Sequence, residues 1–384
     1  MKIRTFSMLS SLIAILSIVM IPLGAYAQNE CESIEWIDEV FPLNDYCNNT
    51  IDITEVSPGC RFRECIPALN SDVVTMESIA EASNWLVDQS PVIAIEIDGD
   101  ARAYPQAILV SHEIANDVVG GVPVAITYCP LCNSSIVYER TVNDEIYDFA
   151  VSGLLRNSDL VMFDRQTETW WQQFTGEGIV GDHAGVLLGI IPSRVIGFGQ
   201  FAERYPDGQV LSRGTGGAAS TYGTISAGYA NYDDAFLFRG EPDPRLPETS
   251  HVLAGTIGDE AIAYPFSALA EEFVINDTVG GEDIVAMWQP GTAAMMDNVV
   301  VDNSRDIGTA SLYSREVDGR VLTFSYDAAS NTITDNETGS EWNLFGEAIS
   351  GELEGAKLQQ MFAAVHFWFA WAAFNPDTVI YGIE

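Results

Sequence analysis

Apolar positions in this chain come in short runs broken at close intervals by turn residues, the rhythm of strands and hairpins. Val92 to Ile97 is apolar and β-branched apart from Glu96, Asp98-Gly99 is a hairpin turn, and Ala101 to Tyr104 returns. A short helix is expected from about Pro105, with proline in its first turn and Ile108 and Leu109 on its apolar face. His112, four residues after Ile108, falls on that face. Gly120-Gly121 breaks the chain, and Val122 to Tyr128 reads as the next strand. Ser135 to Arg140, Ile146 to Ser152 and Asp159 to Phe163 read as further strands. Near the end, Phe367 to Phe374 predicts an aromatic-rich helix whose rings serve core packing. The fold class is mainly β, a β-rich α+β chain with a few short helices.

The pattern repeats. Ala101-Arg102-Ala103-Tyr104-Pro105 returns as Ala261-Ile262-Ala263-Tyr264-Pro265, and Asn116-Asp117-Val118-Val119-Gly120-Gly121 as Asn276-Asp277-Thr278-Val279-Gly280-Gly281, both 160 positions on. Later, Gly176 to Gly181 returns as Gly346 to Gly351, so the second copy carries an insertion. Two related β-rich lobes are expected, at 71–212 and 250–384. Between them, 213–249 is a Gly-rich and then acidic linker, expected to run over the surface where the copies meet.

The N-terminus adds a destination. Lys2 and Arg4, an apolar run from Met8 to about Leu23, and Ala25-Tyr26-Ala27 fit a signal peptide over 1–27. No other run is long and apolar enough to span a bilayer. An extracytoplasmic protein, periplasmic or secreted, with no membrane span after cleavage, is the expectation. Cysteine usage agrees: Cys31, Cys47, Cys60 and Cys65 precede the main body and suit two disulfides stapling an extension over 28–70. The short loops favour Cys31–Cys47 and Cys60–Cys65 among the three possible connectivities. The formal charge of −38 excludes nucleic acid and anionic lipid as partners; it suits a solvated surface in salty surroundings and names no partner.

One motif carries chemistry. The strand Val122 to Tyr128 runs into Cys129-Pro130-Leu131-Cys132. A thioredoxin-type site needs a long helix at the second cysteine, but here Asn133-Ser134-Ser135 leads straight into another strand. The motif therefore sits at a tight β-turn, where two thiolates point the same way, as in a metal knuckle. Asn133 suits the left-handed backbone such a turn needs. With His112 the set becomes Cys₂His, suited to copper or zinc. At the 160-residue offset His112 becomes Glu272, Cys129 becomes Gln289 and Cys132 becomes Thr292, while the scaffold signals persist; the three are lost as one unit. Two readings stand side by side: a metal or thiol-redox centre at Cys129, Cys132 and His112, or a non-catalytic binding or structural protein whose cysteine pair is a disulfide. A second polar constellation, Tyr128, Arg156, Asn157, Asp159 and Asp164, leads to Trp170-Trp171-Gln172-Gln173 and could line a pocket. No nucleotide-binding loop, HExxH or GxSxG occurs, so no reaction is named.

His112-Glu113-Ile114, Asn116-Asp117, Gly120-Gly121, Thr127-Tyr128-Cys129-Pro130-Leu131-Cys132, Ser152-Gly153-Leu154-Leu155, Asn157-Ser158-Asp159 and Asp164-Arg165 together resemble the family called domain of unknown function 3179. The likeness runs from about Ile66 to the C-terminus and takes in Ser304-Arg305-Asp306-Ile307-Gly308 and Phe367 to Phe374. Asn133 departs from the glycine expected there. The resemblance implies an exported prokaryotic protein with this cysteine motif, and no established activity.

Overall fold

A computed structural model describes residues 37, 39–60, 62–215, 228–229, 235–298 and 300–383. The expected signal peptide and Cys31 lie outside the described residues. The chain is mainly β, with several sheets and a few helices of at most seven residues among those described. The Cys60–Cys65 disulfide is present, and Cys47 is disulfide-bonded. No described helix is long and apolar enough to cross a membrane.

Strands β1 (Pro91–Ile97) and β2 (Asp100–Pro105) form the first hairpin, closed by Asp98 and Gly99 in left-handed conformations (φ 50° and 84°). β1 is apolar over residues 91–95, where both its faces are covered, and carries the exposed Glu96 near its end. Ile93 and Ile95 point into the main core, while Val92 and Ala94 pack with Ile196, Phe198 and Phe201 on the other side. Helix α1 (Gln106–Leu109) follows, then β3 (Ile114–Val119), β4 (Val122–Cys129) and β5 (Ser134–Glu139). A second hairpin sheet holds β6 (Phe149–Arg156) and β7 (Asp159–Asp164).

Helix α1 is shorter than expected. Glu113 takes φ 57° and donates its backbone N–H to the Leu109 carbonyl at 2.6 Å, which closes the helix. His112 therefore sits in the turn after the helix, not on its apolar face. Strand β3 was not expected, because Asn116-Asp117 interrupts its apolar pattern. Asn116 is nevertheless buried: its side chain donates to the Phe149 carbonyl (2.8 Å) and accepts from the Phe149 N–H (2.9 Å). Gly120-Gly121 accordingly joins β3 to β4, not the helix to β4.

Bonds of the first half recur at the offset positions. The Tyr104 hydroxyl donates to Asp117 at 2.7 Å, and the Tyr264 hydroxyl to Asp277 at 2.9 Å. Asn276 brackets Phe324 as Asn116 brackets Phe149. In the second half β8 (His251–Ile257) pairs with β9 (Glu260–Pro265), helix α2 (Phe266–Glu272) follows, and β10 (Glu282–Gln289) occupies the place β4 has in the first. The largest buried cluster is shared, running from Ile93, Ile126 and Tyr128 to Val252, Phe367 and Trp371.

Gly120 illustrates how tightly the hairpins abut. At φ +54° a Cβ there would lie 2.3 Å from the Ile97 carbonyl oxygen, whereas one on Gly99 meets nothing within 4 Å. Gly120→Ala is expected to lower the unfolding free energy by about 3 kcal/mol and Gly99→Ala by about 1 kcal/mol. Urea melts of the two variants measure the difference.

Candidate metal centre

The thiol pair is set by one turn. Cys129 ends β4, Asn133 turns the chain with φ 48°, and Ser134 begins β5 opposite Cys129. The Tyr128 hydroxyl donates to the Asn133 side-chain oxygen at 3.2 Å and braces the turn from inside. Both cysteines are free, and both are buried (2% and 0% exposed).

A second turn is aimed at the first. Asn157 and Ser158, at φ 53° and 63°, connect β6 to β7 in the tight geometry that pairs Arg156 with Asp159. This turn directs the Ser158 carbonyl at the sulfurs, 3.5 Å from Cys132 Sγ and 3.9 Å from Cys129 Sγ. It also delivers the Asp159 side chain. Asp159 Oδ2 accepts from Gln172 Nε2 (2.7 Å) and from the Phe174 N–H (3.0 Å). Its other oxygen, Oδ1, is buried with no nitrogen or oxygen partner. One ligand atom from each of Cys129, Cys132 and Asp159 lies within 4.8 Å of the other two.

A fourth acid borders the group. The ladder that pairs Ile114 with Thr127 continues through a bond from the Tyr128 N–H to the Glu113 carbonyl (2.8 Å). Residues 112 and 113 are thereby held beside Tyr128 and Cys129. The Glu113 carboxyl is buried. Burial, followed by the charge of Asp159, pushes its pKa up to about 8. Burial pushes Asp159 up to about 7 against the pull of its hydrogen bonds. Both thiols are raised as well, first by burial. Two thiols and two carboxyls thus share dry space, and each carboxylate makes the others harder to ionise.

The residues singled out in the sequence separate here. His112 Nδ1 lies 2.7 Å from the Pro67 carbonyl. A carbonyl only accepts, so Nδ1 carries the proton and Nε2 keeps the lone pair when the ring is neutral. His112 stands outside the compact Cys129, Cys132, Asp159 trio. Arg156 pairs with Glu55 at 2.7 Å and lies over the Phe374 ring. Asn157 shapes the turn. Asp164 accepts from Thr167 and from Trp171 Nε1, and Asp335 makes the same bonds to Thr338 and Trp342 in the half without thiols, which marks both as scaffold. Asp159 moves from a pocket-lining residue to a donor beside the sulfurs.

Glu113 and Tyr229 carry weight that sequence reasoning did not assign them. At the 160-residue offset Glu113 becomes Phe273, with the same backbone: φ 64°, and a bond from the Trp288 N–H to its carbonyl at 2.8 Å. The acid changes where the sulfurs change, a signal present in the alignment of the halves. Tyr229 is buried, and its phenol is raised by burial and then by the nearby Cys132.

The second half closes the site. The Phe367 N–H donates to the Cys132 carbonyl at 2.8 Å, and helix α3 (Trp368–Phe374) follows at once. Phe374 stacks on Phe174 at 4.6 Å, and His366 lies 4.5 Å from the same ring. From the segment between the halves, Phe236 accepts from Ser158 Oγ through its carbonyl (2.6 Å) and donates its N–H to the Tyr229 hydroxyl (3.2 Å).

The family model described as a protein of unknown function (DUF3179) matches residues 63–378. The chain belongs to the DUF3179 family. No curated protein and no solved structure matches it. All the site residues above, from Glu113 to Tyr229, fall inside the DUF3179 match, whereas Cys47 and Cys60 precede it.

The raised carboxyls fix a pH dependence. An acid whose folded pKa exceeds its unfolded value gives stability that is present below the unfolded value and lost as pH climbs through the folded one. Ordinary values of 3.8 and 4.5 move to about 7 and about 8 at Asp159 and Glu113. Metal-free protein is therefore expected to lose stability from about pH 5 to about pH 8. Asp159→Asn, which keeps an acceptor for Gln172, should flatten that fall. Thermal melts across this range measure both.

Proposed function

We propose that this is an exported metal-binding protein in which Cys129, Cys132 and Asp159 hold one transition-metal ion. The supporting observation is the buried trio, in which the Asp159 oxygen not bonded to Gln172 has no nitrogen or oxygen partner and faces the thiols. A cation there would neutralise ionised sulfurs and carboxylates that burial otherwise keeps protonated. Thiolates suit both copper and zinc; a carboxylate donor favours zinc, which accepts sulfur, nitrogen and oxygen alike. His112 and Glu113, both outside the compact trio, are the candidates for a fourth donor and would have to move toward it. His112 has the orientation device expected of a ligating imidazole, one ring nitrogen bonded to a backbone carbonyl.

The same sulfurs define the competing thiol-redox reading. Raised thiol pKa values speak against it, since the thiolate is the nucleophile. The disulfide at Cys60–Cys65 suits an oxidising compartment outside the cytoplasm.

Purified mature protein is expected to show two reactive thiols on denaturation without reductant, and to bind one zinc or copper ion that protects them. Cys132→Ser and Asp159→Asn should each weaken binding by more than about 100-fold, beyond the loss typical of residues outside the ligand shell. His112→Ala and Glu113→Gln, compared with each other, identify the fourth donor. Absence of free thiols before reduction, or metal binding unchanged by Asp159→Asn, overturns the reading. Export is read separately: protein recovered outside the cytoplasm of an expressing bacterium should begin at Gln28.

A further inference from the structure

The stretch Ser304 to Gly308 plays no part in the thiol site. Part of it lines a cleft of about 660 Å³ in the second half, a volume within the range of small-molecule sites. Leu246, Phe266, Trp288 and Ile307 give it an apolar wall, and Thr249, Ser250, His251, Ser267, Arg305 and Asp306 its polar lining.

The chemistry of those polar groups is specific. Asp306, the acid at the wall, is occupied: Oδ1 accepts from the N–H groups of Gly291, Thr292 and Gly308 at 3.0, 3.1 and 2.9 Å. Trp288 Nε1 is also engaged, donating to the Ile307 carbonyl at 2.9 Å. Arg305 uses Nε and Nη2 on Asp297 (2.7 and 2.8 Å), which leaves Nη1 without an assigned acceptor, and its side chain is 58% exposed. The His251 ring meets Phe367 edge-on at 5.0 Å between centroids and lies 6.1 Å from Phe266. Burial, and then the charge of Arg305, lower its pKa to about 4, so the imidazole is neutral at neutral pH. Asp297 opposes this shift by less than Arg305 drives it.

We propose that this cleft is a second ligand site, separate from the thiol centre, and that it takes a small organic anion with an apolar body, such as an aromatic carboxylate. The apolar body lies against Trp288 and Phe266, and the anionic group meets Arg305 beside the neutral His251, which offers one more donor. The site does not depend on the metal reading and is testable on metal-free protein.

Anilinonaphthalene sulfonate and the uncharged N-phenylnaphthylamine are the probes, since they share apolar rings and differ in charge. The sulfonate should bind once per folded chain and be displaced by phenylacetate. Arg305→Gln should weaken the sulfonate about ten-fold, the scale of one charge-assisted hydrogen bond, and leave the neutral dye unchanged. Ala270→Phe, on the exposed face of α2 at the cleft wall, should weaken both dyes without lowering the melting temperature. If Arg305→Gln fails to fold, Ala270→Phe with phenylacetate displacement carries the test. Sulfonate binding unmoved by Ala270→Phe, or equal losses of both dyes in Arg305→Gln, overturns the proposal.

Discussion

Two thiols and two carboxyl groups occupy one water-free space, and their mutual electrostatics set what the surrounding structure must do. The two carboxyls would ionise in neutral water, and burial holds all four groups toward their protonated forms. The scaffold leaves that conflict standing. It gives Asp159 Oδ2 two nitrogen donors, turns the other oxygen to the thiols, and leaves Glu113 buried beside that charge. Either protons stay on these groups or a cation takes their place. Under the proposed metal binding, that balance would select a guest that is compact, positively charged and tolerant of sulfur.

The backbone that creates this arrangement is strained in three places. Glu113, Asn133 and Ser158 all have positive φ without being glycine, and all border the sulfurs. At Glu113 the strain belongs to the scaffold, since Phe273 repeats it in the half that lacks thiols. At Asn133 and Ser158 it serves aim. One turn points two sulfurs inward and the other sets a carbonyl and a carboxylate against them.

Much of the frame was legible in the sequence. Alternation and turn chemistry located β1, β2, β4, β5 and the aromatic helix to within a residue or two, because each carries its own local signal. Strand β3 was hidden because Asn116 is buried through hydrogen bonds to Phe149, and no periodicity of apolar residues records such a bond. Helix α1 was overextended for a related reason: the left-handed closure falls on glutamate, a residue that ordinarily continues helices. The cysteine pair was legible as a turn-borne pair. Asp159 as its companion was not, since it arrives from a different sheet, 27 positions after Cys132. Distance along the chain and closeness in space are linked here only by tertiary structure.

The position of the cap has a consequence for how distant segments of the chain depend on each other. Phe367 bonds the Cys132 carbonyl, and the helix through Phe374 follows it at once, so the thiol turn is tied to a segment 235 positions further along the sequence. Phe374 in turn stacks on Phe174, whose N–H donates to Asp159. A disturbance in that distant segment is therefore felt at the thiol turn as well as in its own surroundings.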